Sequence, residues 1–120
     1  MIDKVIIAED QESANLSVQR NMADFRIRHI DHVFYCDDAL NKIKLAKEKG
    51  ESYDLLITDL YFEADGIAQK IAGGFDLVRS VRTIQPEMRI LVFSAESRPA
   101  TIDMLFKTYE IDAYVRKARH

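Results

Sequence analysis

"DLLITDLYF", residues 54–62, runs an apolar stretch straight into a carboxylate. Leu55, Leu56 and Ile57 predict a buried strand, and the next charged position on it is Asp59. Burying an unpaired carboxylate costs several kcal/mol. Asp59 must therefore reach water or meet a cation, and the rest of the chain has to supply one or the other.

Working outward, short apolar runs alternate with helical patterns. Val5–Ile6–Ile7–Ala8 reads as a first strand ended by Glu9 and Asp10. Ser13 is expected to cap a helix carrying Ala14, Val18, Met22 and Phe25 on one face. Residues 29–35 give a second strand. Asp38 is expected to cap a helix with Ala39, Leu40, Ile43 and Ala46 on one side, closed by Lys47, Lys49 and Gly50. Beyond the strand at 55–58, Leu77, Val78, Val81 and Ile84 form another helical stripe that Pro86 ends. "RILVFSA" (89–95) is a fourth strand, Ile102, Leu105, Phe106 and Tyr109 mark a helix, and "DAYVRK" (112–117) is a fifth strand. Near-continuous apolar strands alternating with helices predict an α/β fold, a doubly wound five-stranded parallel sheet covered on both faces. Four helices must then serve two faces, which leaves one face thinly covered. Either the protein continues beyond His120 or a partner supplies the cover, and self-association is one outcome.

Composition narrows the function classes. The chain has 120 residues, the length of one domain, and a formal charge of −3 gives no electrostatic reason to bind nucleic acid. Apolar runs stay at about five residues, far below the roughly 20 that span a bilayer. The opening MIDKVIIAED lacks the plan of a signal peptide. Cys36 is the sole cysteine, which fits a reducing, cytoplasmic setting and a core-filling role. His29, His32 and His120 form no metal-ligand spacing.

In open parallel sheets, ligands gather outside the carboxyl ends of the strands. Those ends carry Glu9 and Asp10, Asp59, Ser94 and Lys117. Three carboxylates brought together repel one another unless a cation sits among them, and hard oxygen donors with room for water suit Mg²⁺. Lys117 adds an ammonium.

The set "AED" (8–10), "LLITDL" (55–60), "FSAE" (93–96) and "AYVRK" (113–117) resembles the receiver domain of bacterial response regulators, in order and separation, over essentially all of residues 1–120. The resemblance implies a flavodoxin-like (β/α)5 fold, here with its final helix absent. It implies that Asp59 accepts a phosphoryl group from a sensor histidine kinase. Glu9, Asp10, Asp59 and the backbone carbonyl of Tyr61 would hold Mg²⁺, Lys117 would pair with the phosphoryl oxygens, Ser94 would turn toward them, and Tyr114 would be the aromatic switch. Such a protein is a signalling switch rather than an enzyme, beyond its own phosphorylation and dephosphorylation. It would touch DNA, to control transcription, only through an output domain outside this chain. The sequence departs from the family pattern in two further places. Ala118 follows Lys117 where a proline is usual, and "YFEADGIAQKIAGGF" (61–75) delays the expected glycine to Gly74. Two rivals belong to other classes. A degenerate receiver would serve only as a protein-interaction module. A phosphatase-like hydrolase would share Asp59 but normally places a second acid at position 61, which here is Tyr.

Overall fold

The computed structural model describes residues 1–117. Nine elements alternate: β1 (Lys4–Ala8), α1 (Glu12–Met22), β2 (His29–Val33), α2 (Cys36–Glu48), β3 (Leu55–Thr58), α3 (Gly74–Ile84), β4 (Arg89–Ser94), α4 (Pro99–Thr108) and β5 (Ala113–Arg116). The strands form one parallel sheet in the order β2-β1-β3-β4-β5. The chain winds outward in both directions from β1 and β3, so their carboxyl ends flank the crevice where such sheets bind ligands.

Side chains alternate across the sheet, as the strand pleat requires. Ile6, Ala8, Leu56, Ile90 and Val92 point to one face, where Ala39 and Ile43 of α2, Leu77, Val78 and Val81 of α3, and Leu105 of α4 complete the larger core. Val5, Ile7, Leu55 and Ile57 point to the other, against Val18 and Met22 of α1. Three helices cover one face and, among the described residues, one covers the other. The uneven cover expected from the helix count is therefore seen on the α1 side, where Ile2, Met22, Phe25, Ile27, Ile57 and Leu91 line an open apolar groove. No described helix is long and apolar enough to cross a membrane.

The strands lie where the apolar runs place them, to within a residue or two at each end. The helix starts do not. Ser13 is not a cap: α1 begins at Glu12 behind Gln11, whose N–H donates to the Glu9 carboxylate at 3.1 Å. Asp38 is not a cap either, because α2 begins two residues earlier at Cys36. Asp37 and Asp38 occupy its first turn, where negative charge complements the helix dipole. Phe25 lies outside α1 and is 67% exposed, because the helix ends at Met22 and the chain turns there. Phe106 also faces largely outward, and of the α4 stripe only Leu105 is buried. Cys36 is buried, as expected of core filling.

One arginine fixes the lower end of α3. Arg82 donates to the carbonyls of Pro86, Met88, Tyr109 and Glu110, clasping the loop ahead of β4 to the one ahead of β5. Glu110 itself has φ +53°, a left-handed turn that brings the chain into β5.

Candidate functional site

At the crevice, Asp59 follows the last residue of β3 and is only 7% exposed. Its Oδ1 accepts the N–H of Leu60 at 2.6 Å and, more loosely, that of Tyr61 at 3.4 Å. Its Oδ2 accepts from Lys117 Nζ at 2.6 Å. The same ammonium lies 2.6 Å from Oε1 of Glu9, which is 2% exposed. Lys117 is thus the cation that the opening stretch of sequence requires. Adjacent strands β1 and β3, with Ala8 beside Thr58, carry the two carboxylates, and the end of β5 delivers Lys117, whose N–H donates to the Ser94 carbonyl at 2.8 Å.

The electrostatics follow from burial. Desolvation holds Glu9 above the usual carboxylate range, against the opposing pull of Lys117. Burial also works against the Lys117 charge, but its hydrogen bond to Asp59 and then the Glu9 carboxylate beside it outweigh that, and its pKa rises. Glu9 Oε1 has an ammonium beside it yet lies out of line for a hydrogen bond, so a buried acceptor is matched in charge but not in geometry.

Asp10 is placed differently from its neighbour. Its Oδ2 accepts the N–H of Glu63 at 2.8 Å, tying it to the long segment after β3. Among the described residues no three side chains of His, Cys, Asp or Glu are gathered to hold a metal. The donor chemistry nonetheless fits a divalent cation: two buried carboxylates, those of Glu9 and Asp59, share one ammonium at this edge, and one carboxylate oxygen of Glu9 lacks a hydrogen bond. Mg²⁺ needs only one or two carboxylates beside its waters.

Ser94 is fully buried at the end of β4, where its Oγ accepts the Glu96 N–H at 3.4 Å. Tyr114 packs against the larger core and donates its hydroxyl to the Glu96 carbonyl at 2.6 Å. Tyr61 lies beside Asp59 through its backbone N–H. The structure therefore brings Glu9, Asp59 and Lys117 into contact, links Ser94 and Tyr114 through the Glu96 backbone, and turns Asp10 toward the loop. Ala118 and His120 lie outside the described residues.

Sequence reasoning missed a rim over this crevice. The Tyr61 hydroxyl donates to Glu96 Oε1 at 2.8 Å, and Arg98 bonds both Glu96 and the Tyr61 hydroxyl. Arg98, helped by Tyr61, lowers the Glu96 pKa to about 2. Glu96 stands inside the quoted "FSAE", but nothing in its spacing announces a partner 35 positions upstream.

The 61–73 excursion returns to where it left. Gly74 N–H donates to the Leu60 carbonyl at 2.9 Å, and a Cβ at Gly74 would sit 1.9 Å from the Asp59 carbonyl oxygen. Only glycine lets the two strands of the loop meet beneath Asp59. Both Asp37 oxygens accept backbone N–H groups, from Lys70 and Ile71, and the Tyr35 hydroxyl donates to Asp65, which pins the loop to the start of α2.

No family model matches the sequence. No curated protein matches it either. Solved structures do match it in fold. The isolated receiver domain of RcsB from Salmonella enterica serovar Typhimurium, determined with the phosphomimetic BeF3−, superposes with a TM-score of 0.80 at 19% identity, over 100% of this chain and 80% of that one. A BeF3-activated DrrB receiver domain gives 0.73 at 16% identity, over 100% and 88%. The Salmonella typhimurium RcsB response regulator gives 0.77 at 19% identity over 96% of this chain, which spans about half (52%) of that one.

Proposed function

We propose that this chain, a response-regulator receiver domain by its fold, is a phosphorylation-controlled switch whose acceptor is Asp59. The observation that carries the reading is one ammonium, that of Lys117, held at 2.6 Å from both Asp59 Oδ2 and Glu9 Oε1.

The chemistry asks mainly for position and charge. Leu60 and Tyr61 fix Asp59 Oδ1 from the backbone, which leaves Oδ2 as the free-moving oxygen once Lys117 releases it. Oδ2 attacks phosphorus in line; the new O–P bond forms as the bond to the donor's leaving group breaks, and that group takes up a proton. Lys117 then turns to the phosphoryl oxygens. Glu9, Asp10, Asp59 and the Tyr61 carbonyl are the groups that would hold Mg²⁺, which when bound offsets negative charge on those oxygens. An aspartyl phosphate adds roughly −1.5 to −2 charges beside Ser94. Ser94 and Tyr114, both linked to Glu96, would carry that change toward α4 and β5.

In this reading the donor is a histidine kinase in the cytoplasm, the chain catalyses at most its own phosphorylation and dephosphorylation, and any control of transcription acts through an output domain outside residues 1–120. Homodimerisation through the exposed apolar groove is consistent with it.

A second reading, a receiver fold used only for protein interaction, is favoured by the capture of Asp10 by Glu63. Incubation with acetyl phosphate and Mg²⁺ followed by intact-mass measurement separates the two. The switch gives one phosphoryl adduct that Asp59→Asn abolishes. No adduct on the parent chain would establish the interaction module, and rapid turnover of the phosphodonor would establish a hydrolase.

A further inference from the structure

Between the 61–73 excursion and the turn from β2 into α2 lies a cleft of about 540 Å³. Its apolar surface comes from Phe34, Phe62, Ile67 and Ile71, with Phe34 and Ile67 44% and 58% exposed. Its charged groups are all acidic, Asp10, Glu63 and Asp65, beside the neutral Tyr35 and Gln69, with no lysine or arginine among the described lining residues. The volume is that of a small-molecule site rather than a packing fault. Cys36 lines the cleft, and its thiol is pushed up to about 12, by burial first and then by the carboxylates of Asp37, Asp10, Asp76 and Asp59.

We propose that this cleft binds a small organic cation, an ammonium group carried on an apolar body. The apolar part would cover Phe34 and Ile67, which otherwise face water, and the ammonium would meet Asp65 and Glu63. Neutral or anionic molecules of the same shape lack the second contribution. Because Glu63 donates its N–H to Asp10, such a ligand also moves or fixes the loop atom that holds Asp10, and so reaches the acidic edge. Binding itself needs neither phosphorylation nor a metal.

The test is an amide NMR titration of the chain with phenethylammonium chloride, and in parallel with 2-phenylethanol, 3-phenylpropanoate and ammonium chloride. The expected result is a saturable shift of the Ile67, Ile71 and Glu63 amides with phenethylammonium alone. Asp65→Asn keeps an acceptor for the Ile67 N–H, removes one charge and should weaken that binding about threefold, the size of one exposed charge pair. Equal shifts from 2-phenylethanol would overturn the charge argument, and equal shifts from ammonium chloride would mean a simple ionic effect. Absence of saturation with phenethylammonium would overturn the site. Asp59→Asn should bind as the parent does, so a failure of the proposed phosphoacceptor role leaves this result readable.

Discussion

Replacing Gly74 by alanine tests how the site is built. The new methyl would start 1.9 Å from the Asp59 carbonyl oxygen and 2.7 Å from Leu60 Cα, where real contacts do not fall below 3.0 Å. The backbone must therefore open by at least 1.1 Å, the difference between 3.0 and 1.9 Å, directly under Asp59. Overpacking of this kind costs about 1–3 kcal/mol and occasionally more. Alanine's better helix propensity returns at most about 1 kcal/mol, and less at the first helical residue. The expected net loss is about 2 kcal/mol, a substantial part of the roughly 5–15 kcal/mol that holds a domain folded. Gly73→Ala is the control, because its Cβ would meet the Leu60 carbonyl at 3.0 Å and needs a shift of only a few tenths of an ångström. Urea unfolding measures both. A misplacement near 1 Å also lowers catalytic positioning by about a hundredfold, so the rate of acetyl-phosphate labelling of Gly74→Ala should fall far more than that of Gly73→Ala. Equal stabilities for the two variants, or normal labelling in Gly74→Ala, would refute the idea that this contact sets Asp59.

Lys117→Met leaves the Glu9 and Asp59 carboxylates facing each other; breaking such a buried pair costs about 3–5 kcal/mol. Because burial raises the Glu9 pKa, the folded state holds that proton more tightly than the unfolded chain, so stability should fall as pH climbs above 4.5. The variant should thus be closest to the parent near pH 5 and furthest at pH 8 in urea titrations; a pH-independent difference would contradict this. Glu96 titrates in the opposite sense. Held down to about 2 by Arg98, it contributes stability above pH 4.5 that is lost as pH falls toward 2, and carboxyl NMR should show its midpoint rising toward 4.5 in Arg98→Ala. Arg82→Met removes four donations to backbone carbonyls and should cost about 2–3 kcal/mol, with faster amide exchange around Asp112.

Legibility in the sequence followed the physics that writes it there. Strands buried on both faces leave apolar runs, so Leu55–Thr58 and Arg89–Ser94 could be placed, and with them the carboxyl ends that carry Asp59 and Ser94. Helix starts were misplaced at Ser13 and Asp38 because α1 and α2 use no side-chain cap; their entries are set by Glu9 and by the loop contacts of Asp37. The diversion of Asp10 was invisible because it depends on the course of irregular backbone at Glu63, which has no periodicity to read. The Tyr61–Glu96–Arg98 rim escaped for a related reason: two loops meet only after the sheet has formed. Gly74 was legible as the delayed glycine, although why no other residue fits there is a matter of distances.

The half-covered side of the sheet has a mechanical consequence. Ile57 belongs to the open groove and sits two residues before Asp59, which directly follows the last residue of β3. Whatever settles on that groove therefore touches a four-residue strand that the carboxylate directly follows. Back-surface occupancy and front-edge chemistry share one lever, β3, with no loop between them to absorb the push.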